Sequence, residues 1–538
     1  MIPNILTLLT EFFKQRIFLD KYEKKFIKFN ELKWAKPSEK LHKEKSKSII
    51  LVDLFPWYPL IYFWSYLTNI FSRKYDCDIK YYYFNFSETK SSNFSAFISK
   101  LEDIYKSFNV TKGISEYDFH YTRSEINMYE KNFYKIKNKK NLVEYRKKNI
   151  KIGDLIYDSY LRTTLNPTLN IYDKKLKRIF FRAEKIFDEV NSFFKTNDIK
   201  CVIPSHLCYV SYGIIARIAI SKNIPVIKVR SEKWGQKSFR LIYVDKWCLD
   251  ESPYYSYKKK FKKFSKKEKI KNLAIGKKII KSRISGNKDN YLKYLEKSQF
   301  HKSFKKINFF KKPTKQKIII FPHCFYDYPH RFRWMIFNDF YEHANYFLEK
   351  SLQLKQYEWF YKPHPHSLKG HVDIHKEILK KYPNVIYLNK DTSHRQIIKM
   401  RPKCIVTNHG TVAHEYAYFN IPSINTGDNP HINYKFCITV RTIKKLDLIM
   451  NNLDHFLKNF KIEKKEIYEY LFMHYDYFIN RFNEKDLIDD SFFSSSNSSL
   501  NKSSYILKYL IQVDKNNNKK IADYIKNFLK HYKNSYYR

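Results

Sequence analysis

The stretch CIVTNHGTVAHEYAYFNIPSINTGDNPH, from Cys404 to His431, holds a short apolar run, a polar turn with a glycine, and a helix-length segment from Thr411 to Phe419. A second apolar run at Pro422 and another polar turn follow. Short apolar runs bounded by turn residues are the mark of fully buried strands, and a strand-helix-strand passage of this kind forms a parallel βαβ unit. The same alternation extends upstream. Strand IIIF (Ile318–Phe321) precedes a helix from about Trp334 to Leu354, and strand YEWFY (Tyr357–Tyr361) precedes a helix beginning near His371. Strand VIYL at Val385 then precedes a helix from about Ser393 to Met400. Such a run predicts a doubly wound, Rossmann-like domain.

The first half of the chain repeats the pattern more loosely. SIILVDLF from Ser48, a helix-length segment to about Lys74 and the run IKYYYFN form a β-α-β opening. Later, CVIP at Cys201, a helix from Tyr209 to Ser221 and the strand IPVIKV continue it. At 538 residues the chain suits two domains rather than one. Composition sets the expected boundaries. Residues 1–47 form an N-terminal helical extension, 48–250 a first Rossmann-like domain, and 251–315 a Lys-rich helical linker or insertion. Residues 316–450 form a second Rossmann-like domain, and 451–538 a helical tail interrupted by the Ser-rich stretch from Ser491.

The formal net charge is +49, from 102 Lys and Arg against 53 Asp and Glu. Two sources account for it. Lys, Asn, Ile, Tyr and Phe abound while Gly numbers only 9, as expected from a genome poor in G and C. Affinity for anionic lipid or an acidic glycan is the other. A nucleic-acid groove would interleave cations and aromatics along one track, whereas lysine is scattered here, so no specific nucleic acid is expected. The seven cysteines are spread without a C-x-x-C pair, which reads as a reduced, cytoplasmic protein without a zinc or redox site. MIPNILTLLTEFFKQR lacks the marks of a secretory signal, and no apolar run is long enough to span a bilayer. An amphipathic N-terminal helix on the inner membrane, hence a peripheral location, stays open.

In open α/β sheets ligands bind beyond the carboxyl ends of the strands. After YEWFY comes Lys362-Pro363-His364-Pro365-His366-Ser367, one ammonium and two imidazoles on a proline-stiffened loop, donors that suit a phosphate-bearing leaving group. After CIVT comes Asn408-His409-Gly410-Thr411, where the glycine permits close backbone approach and the helix start offers free N–H groups to a phosphate. Glu415, on the same helix face as Thr411, is placed to accept ribose hydroxyls. Gly427-Asp428-Asn429-Pro430-His431 follows the next strand, and Pro322-His323 through Arg331 follows IIIF. Each loop alone reads equally as a turn or a capped helix start. Four polar strand ends in succession point to one ligand.

The Lys362 loop, the Asn408 turn with Glu415 and the segment INTGDNPHINY together resemble capsule polysaccharide biosynthesis proteins, GT-B-like transferases related to bacterial Kdo transferases. IGDLIYDSYLR from Ile152 and SHLCYVSYGIIARIA from Ser205 are similar to that family too. The resemblance covers about Ser48 to Leu446. It implies two facing Rossmann-like domains with a nucleotide sugar held mainly by the second and a glycan or glycolipid acceptor by the first. It implies no metal, no cofactor beyond the donor, and work alongside capsule export machinery. An HP dipeptide also recurs in bacterial sialyltransferases that use CMP-activated donors, and by that likeness His364 contacts the CMP phosphate and Ser393 assists. The resemblance thus assigns donor binding to Lys362, His364, His366, Ser393, His409, Gly410, Thr411, Glu415 and Asp428.

A transferase needs a base or oriented carboxylate at the acceptor hydroxyl and a stabiliser for the departing phosphate. Lys362, His364 and His409 suit the second role. For the first, Asp154 and Asp158 sit in IGDLIYDSYLR and His206 follows CVIP, with Asp158 foremost. Asp154 reads equally as a cap after Gly153, and His206 as a core histidine. Three further readings stay open: a CDP-alcohol glycerophosphate transferase for a wall or capsule polymer, a sugar-nucleotide epimerase, and a polyanion-binding protein.

Overall fold

The computed structural model describes residues 18–35, 48–85, 92–231, 239–246, 254–287, 298–301, 315–367, 369–477 and 505–530. The Ser-rich stretch from Ser491 and the segment up to Arg16 lie outside the described residues. The first sheet holds β1 (Ser48–Asp53), β2 (Asp78–Tyr83) and β3 (Val110–Ser115). After the two-residue antiparallel pair β4 (Arg146–Lys147) and β5 (Ile150–Lys151) it gains β6 (Asp198–Ile203). Its order is β3-β2-β1-β6, with every neighbouring pair parallel. The run IPVIKV, expected to continue this sheet, departs from it. As β7 (Ile227–Ser231) it pairs antiparallel with β8 (Phe239–Tyr243), and only a bridge from Val226 to Val202 ties it to the sheet. The hairpin partner satisfies its backbone groups, which removes the need for a place at the sheet edge.

The second sheet holds β9 (Lys317–Phe321), β10 (Glu358–Tyr361), β11 (Val385–Tyr387), β12 (Cys404–Thr407), β13 (Ser423–Asn425) and β14 (Ile438–Thr439). They lie in the order β11-β10-β9-β12-β13-β14, all parallel. Counted from β9 this is the doubly wound order 3-2-1-4-5-6. Two Rossmann-like units with extra helical segments face each other across a cleft, which is a GT-B-like architecture.

Alternation along the strands builds a core on each face of each sheet. Ile50 and Val52 enter one N-terminal cluster, Ile49 and Leu51 the other. Ile318 and Ile320 likewise face one C-terminal cluster, and Ile319 and Phe321 the opposite one. The helix expected from Trp334 begins only at Phe340, because Asp339 caps it by accepting from the Glu342 amide and the preceding residues form a loop and a 3-10 turn at Pro329–Arg331.

Helix Lys266–Ile284 packs on helix Lys464–Phe472 at a close crossing. A side chain added at Gly276 would stand 1.9 Å from the Tyr468 carbonyl oxygen, so glycine is required there. Helix Tyr505–Lys530 crosses back to the first domain. Its Leu507, Leu510, Ile521, Ile525 and Leu529 join the core beside helices Lys21–Trp34 and Tyr58–Tyr75. Asp514 anchors it, accepting from Lys33 Nζ at 2.6 Å and from Tyr62 at 3.1 Å. Among the described residues, no helix is long and apolar enough to cross a membrane.

Leu510 is fully buried and Lys526, on the same helix, is exposed. Leu510→Ala is therefore expected to cost about 2–5 kcal/mol in urea unfolding, and Lys526→Ala less than about 0.5 kcal/mol.

Candidate active site

In the C-terminal sheet the strand order reverses between β9 and β12, so the ligand crevice of this topology lies at the Phe321 and Thr407 ends. Three imidazoles meet there. His323 follows β9, His364 follows β10 and His409 follows β12. The His323 ring stacks on His364 with centroids 5.2 Å apart and lies 4.9 Å from His409. All three are partly exposed. Burial lowers the His323 pKa, and burial together with the neighbouring His323 holds His364 and His409 well below the usual imidazole value. Burial thus favours the neutral form of all three, and His364 Nδ1 accepts from the His366 amide at 3.2 Å.

Two glycines let these loops nest. A Cβ on Gly410 would stand 2.8 Å from Thr407 Oγ1, and one on Gly427 would stand 2.1 Å from Asn408 Oδ1. The sequence marked His323 only as part of the Pro322–Arg331 loop and gave it no role of its own. Its signal was the central strand β9, whose carboxyl end always borders the crevice in this topology.

Several predicted donor residues have other work in the structure. Lys362 is buried, and its ammonium donates to Gln299 Oε1 at 3.0 Å and the Lys390 carbonyl at 2.8 Å, while burial pulls its pKa down to about 7. Glu415 is buried, and its Oε1 takes Arg283 at 3.3 Å in an internal ion pair. Ser393 caps helix His394–Lys399 and donates to the His301 carbonyl. Asp428 is buried and accepts from Tyr254 at 2.8 Å and from the Arg333 amide at 3.2 Å. Thr411 makes no side-chain cap, and the helix after it runs only from Val412 to Ala417, too short for a strong macrodipole. His366 is exposed beside the cluster.

The opposite wall is helix Gly153–Thr164, which carries Asp154 and Asp158 one turn apart on one face. Asp154 is held by a two-pronged contact from Arg217 at 2.6 and 2.8 Å. Burial pushes its carboxyl up, but the guanidinium overrides this and leaves the pKa lowered. Asp158 takes His330 Nδ1 at 2.6 Å across the domain boundary. Burial raises the Asp158 carboxyl to about 6 against the pull of His330, while Asp158 overrides burial at His330 and raises that imidazole. His330 Nε2 is buried and has no hydrogen-bond partner among the described residues. Tyr157, on the same helix, sets its ring edge-on to His330 at 5.1 Å and donates to Asp339 Oδ2 at 2.5 Å, fastening the two domains beside the pair.

His206 stands apart from this pair. It contacts Ser205 Oγ at 3.0 Å, and Ser205 in turn binds Asp53 at the end of β1, where burial raises the carboxyl to about 7. Tyr209, which opens the next helix, takes a left-handed φ of 62° and meets Tyr328 of the other domain edge-on, with ring centroids 5.6 Å apart. A bulky residue in that region costs about 1–3 kcal/mol, held by its surroundings.

Between the walls runs a cleft of about 440 Å³, lined by Asp154, Asp158 and Arg217 on one side and by His330 to Arg333 on the other. Phe332 lines it and rests on the His409 ring at 4.9 Å, so cleft and imidazole cluster are contiguous. Among the described residues no group of three or more His, Cys, Asp or Glu is arranged to hold a metal.

Fold and site together define a GT-B-like protein with a polar interdomain cleft. No family model matches the chain, and no curated protein matches it. Among solved structures it is similar to Thermosulfurimonas dismutans KpsC, a beta Kdo 2,4 transferase, at 11% identity and a TM-score of 0.32, over 51% of this chain and 79% of that one. It is also similar to the Neisseria meningitidis UDP-GlcNAc 2-epimerase bound to UDP-GlcNAc, at 9% identity and a TM-score of 0.22, over 79% and 97%. A third is the wall teichoic acid polymerase TagF, at 12% identity and a TM-score of 0.18, over 98% and 99%. Likenesses this distant carry no argument about activity.

Arg217→Met would leave the buried Asp154 carboxylate without its partner, and a loss of about 3 kcal/mol is expected at pH 7. Because the folded pKa of Asp154 is depressed, the stabilisation is complete above the unfolded carboxyl value of about 3.9 and is lost as pH falls through the folded value. In the variant burial acts on Asp154 without Arg217 and raises its carboxyl, so the gap between wild type and variant in urea melts should narrow as pH falls through that raised value.

Proposed function

We propose that the protein is a nucleotide-sugar-dependent, metal-independent glycosyltransferase. In this reading it moves a sugar, Kdo or a related acidic sugar from a CMP donor, onto a growing capsule or surface polysaccharide. The observation that carries it is the Asp158–His330 pair at 2.6 Å, built from both domains on the wall of the cleft. Asp158 accepts from Nδ1–H, fixing the tautomer that leaves Nε2 as the basic nitrogen. The acceptor hydroxyl is the partner Nε2 lacks among the described residues. Its oxygen bonds to the anomeric carbon, its proton passes to Nε2, and the bond from that carbon to the nucleotide phosphate oxygen breaks. His323, His364 and His409 donate to the departing phosphate from strand ends that hold them before it arrives.

This assignment gives the base role to His330 and makes Asp158 its orienting carboxylate. Asp154, tied to Arg217, supports the helix that presents Asp158. Nucleotide binding also suits the epimerase reading, which the assay separates: conversion of the sugar nucleotide without any acceptor would favour it.

CMP, CDP, UDP and GDP are to be compared by thermal shift in EDTA. One of them at about 100 times its Kd should stabilise the fold by about 2.7 kcal/mol, with the shift lost in folded His364→Ala and His409→Ala. No shift from any nucleotide would sink the reading. Because the free imidazoles are neutral and an anion favours their protonated forms, nucleotide affinity should tighten from pH 8 to pH 6 with proton uptake, seen by titration calorimetry in two buffers.

His330→Ala should lower kcat by about 10²–10⁴. The rate must rise with pH through the raised pKa of His330, so the acid limb of kcat/KM lies above 6.5. Asp158→Asn removes what raises that pKa and should move the limb to lower pH. An acid limb left in place by Asp158→Asn would contradict the assignment.

A further inference from the structure

His364 is held at one ring nitrogen by two donors. The turn after β10 closes when the Ser367 amide donates to the His364 carbonyl at 3.0 Å, and this brings the His366 amide to 3.2 Å from His364 Nδ1. Cys324, in the loop after β9, sets its Sγ 3.2 Å from the same nitrogen. A backbone N–H can only donate, so the first contact requires a lone pair on Nδ1. The thiol proton must then supply the second. Burial pushes the Cys324 thiol up to about 12, which keeps that proton on sulfur.

A neutral imidazole that accepts at Nδ1 carries its own proton on Nε2. Among the described residues, both hydrogen bonds of this ring fall on Nδ1. Charging the ring would put a proton on Nδ1 and set it against the amide. Burial opposes that charge first, and the titratable groups facing the ring, His323, Lys362, His366 and His375, oppose it next. At His330 the same nitrogen faces a carboxylate, which selects the opposite tautomer and leaves Nε2 basic. The two histidines are thus set in complementary forms, one to take a proton and one to donate a hydrogen bond.

We propose, resting on the transferase reading, that Cys324 is a positioning residue for the donor phosphate. With the His366 amide it holds His364 as the Nε2–H tautomer, and that nitrogen donates to the departing phosphate oxygen as an uncharged group. Cys324 itself is buried and acts through the ring, without touching the nucleotide.

The test pairs Cys324→Ser with Cys324→Ala, side chains of nearly equal volume of which only the first can donate. Nitrogen NMR spectra of the full chain, sedimented and isotope-labelled in histidine, read the ring directly, with His364→Gln identifying its signals. In the wild type at pH 7, His364 should show an unprotonated, hydrogen-bonded Nδ1 and a protonated Nε2. In Cys324→Ala the Nδ1 signal should move toward that of a nitrogen with one donor fewer and the His364 pKa should rise, while Cys324→Ser keeps both near the wild type. At pH 8 the Kd for whichever of CMP, CDP, UDP and GDP binds tightest should weaken about three- to tenfold in Cys324→Ala, the size of one hydrogen bond, and stay within about twofold in Cys324→Ser.

A wild-type His364 protonated on Nδ1, or serine and alanine variants that behave alike in the spectrum or in Kd, would overturn the proposal. Circular dichroism checks the fold of each variant, and Cys324→Val is a second side chain that cannot donate, should the alanine variant not fold. Nucleotide thermal shifts on the same preparations separate the failures. A nucleotide shift with a His364 signal indifferent to Cys324 overturns this inference alone, whereas no nucleotide shift overturns the transferase reading beneath it.

Discussion

The contact between Asp158 and His330 governs how the two halves of this molecule meet. A buried carboxylate and a buried imidazole are each costly alone, and they become tolerable by sharing a proton across the domain boundary. Everything nearby serves that meeting. Arg217 holds Asp154 and with it the helix that presents Asp158, Tyr157 braces His330 while gripping Asp339, and strained Tyr209 packs on Tyr328. The pair draws one residue from each domain, so the proposed base is built by both domains together.

The two sheets divide the remaining work by topology. Each reverses its strand order beside its first strand, and each gathers polar residues there: Asp53, Ser205 and His206 in one domain, His323, His364 and His409 in the other. Burial acts with opposite sign on the two sets of titratable groups. It raises the Asp53 carboxyl and depresses the imidazoles, so both favour their neutral forms until a ligand arrives. An uncharged but hydrogen-bond-rich crevice is suited to a charged guest that brings its own counter-charge demand.

Much of the fold was legible in the sequence because parallel strands are buried on both faces and appear as uninterrupted apolar runs. IIIF, YEWFY and CIVT each became a strand, and helix Tyr209–Ser221 has the expected limits. IPVIKV was misplaced because an apolar run does not reveal which partner will satisfy its backbone; the hairpin with Phe239–Tyr243 did so. The helix after Gly410 ended earlier than its pattern suggested. The return of helix Tyr505–Lys530 to the first domain was illegible, since nothing in a lysine-rich amphipathic stretch names the surface it will cover. At the site, the sequence pointed to the strand-end loops and to Asp158, and the structure places His323, His364 and His409 together and Asp158 against His330. The partners were not visible: neither the Arg283 that occupies Glu415 nor the His330 that meets Asp158 lies near its counterpart in sequence.

The most direct measurement is a double-mutant cycle on Asp158→Asn and His330→Gln, read as turnover of an activated sugar nucleotide at saturating donor and acceptor. If the two residues act as one unit assembled across the cleft, the double variant loses little more than His330→Gln alone, and the losses are strongly non-additive. Losses that simply multiply in the double variant would mean that the two side chains act independently, contradicting an acceptor base built from both domains as one unit.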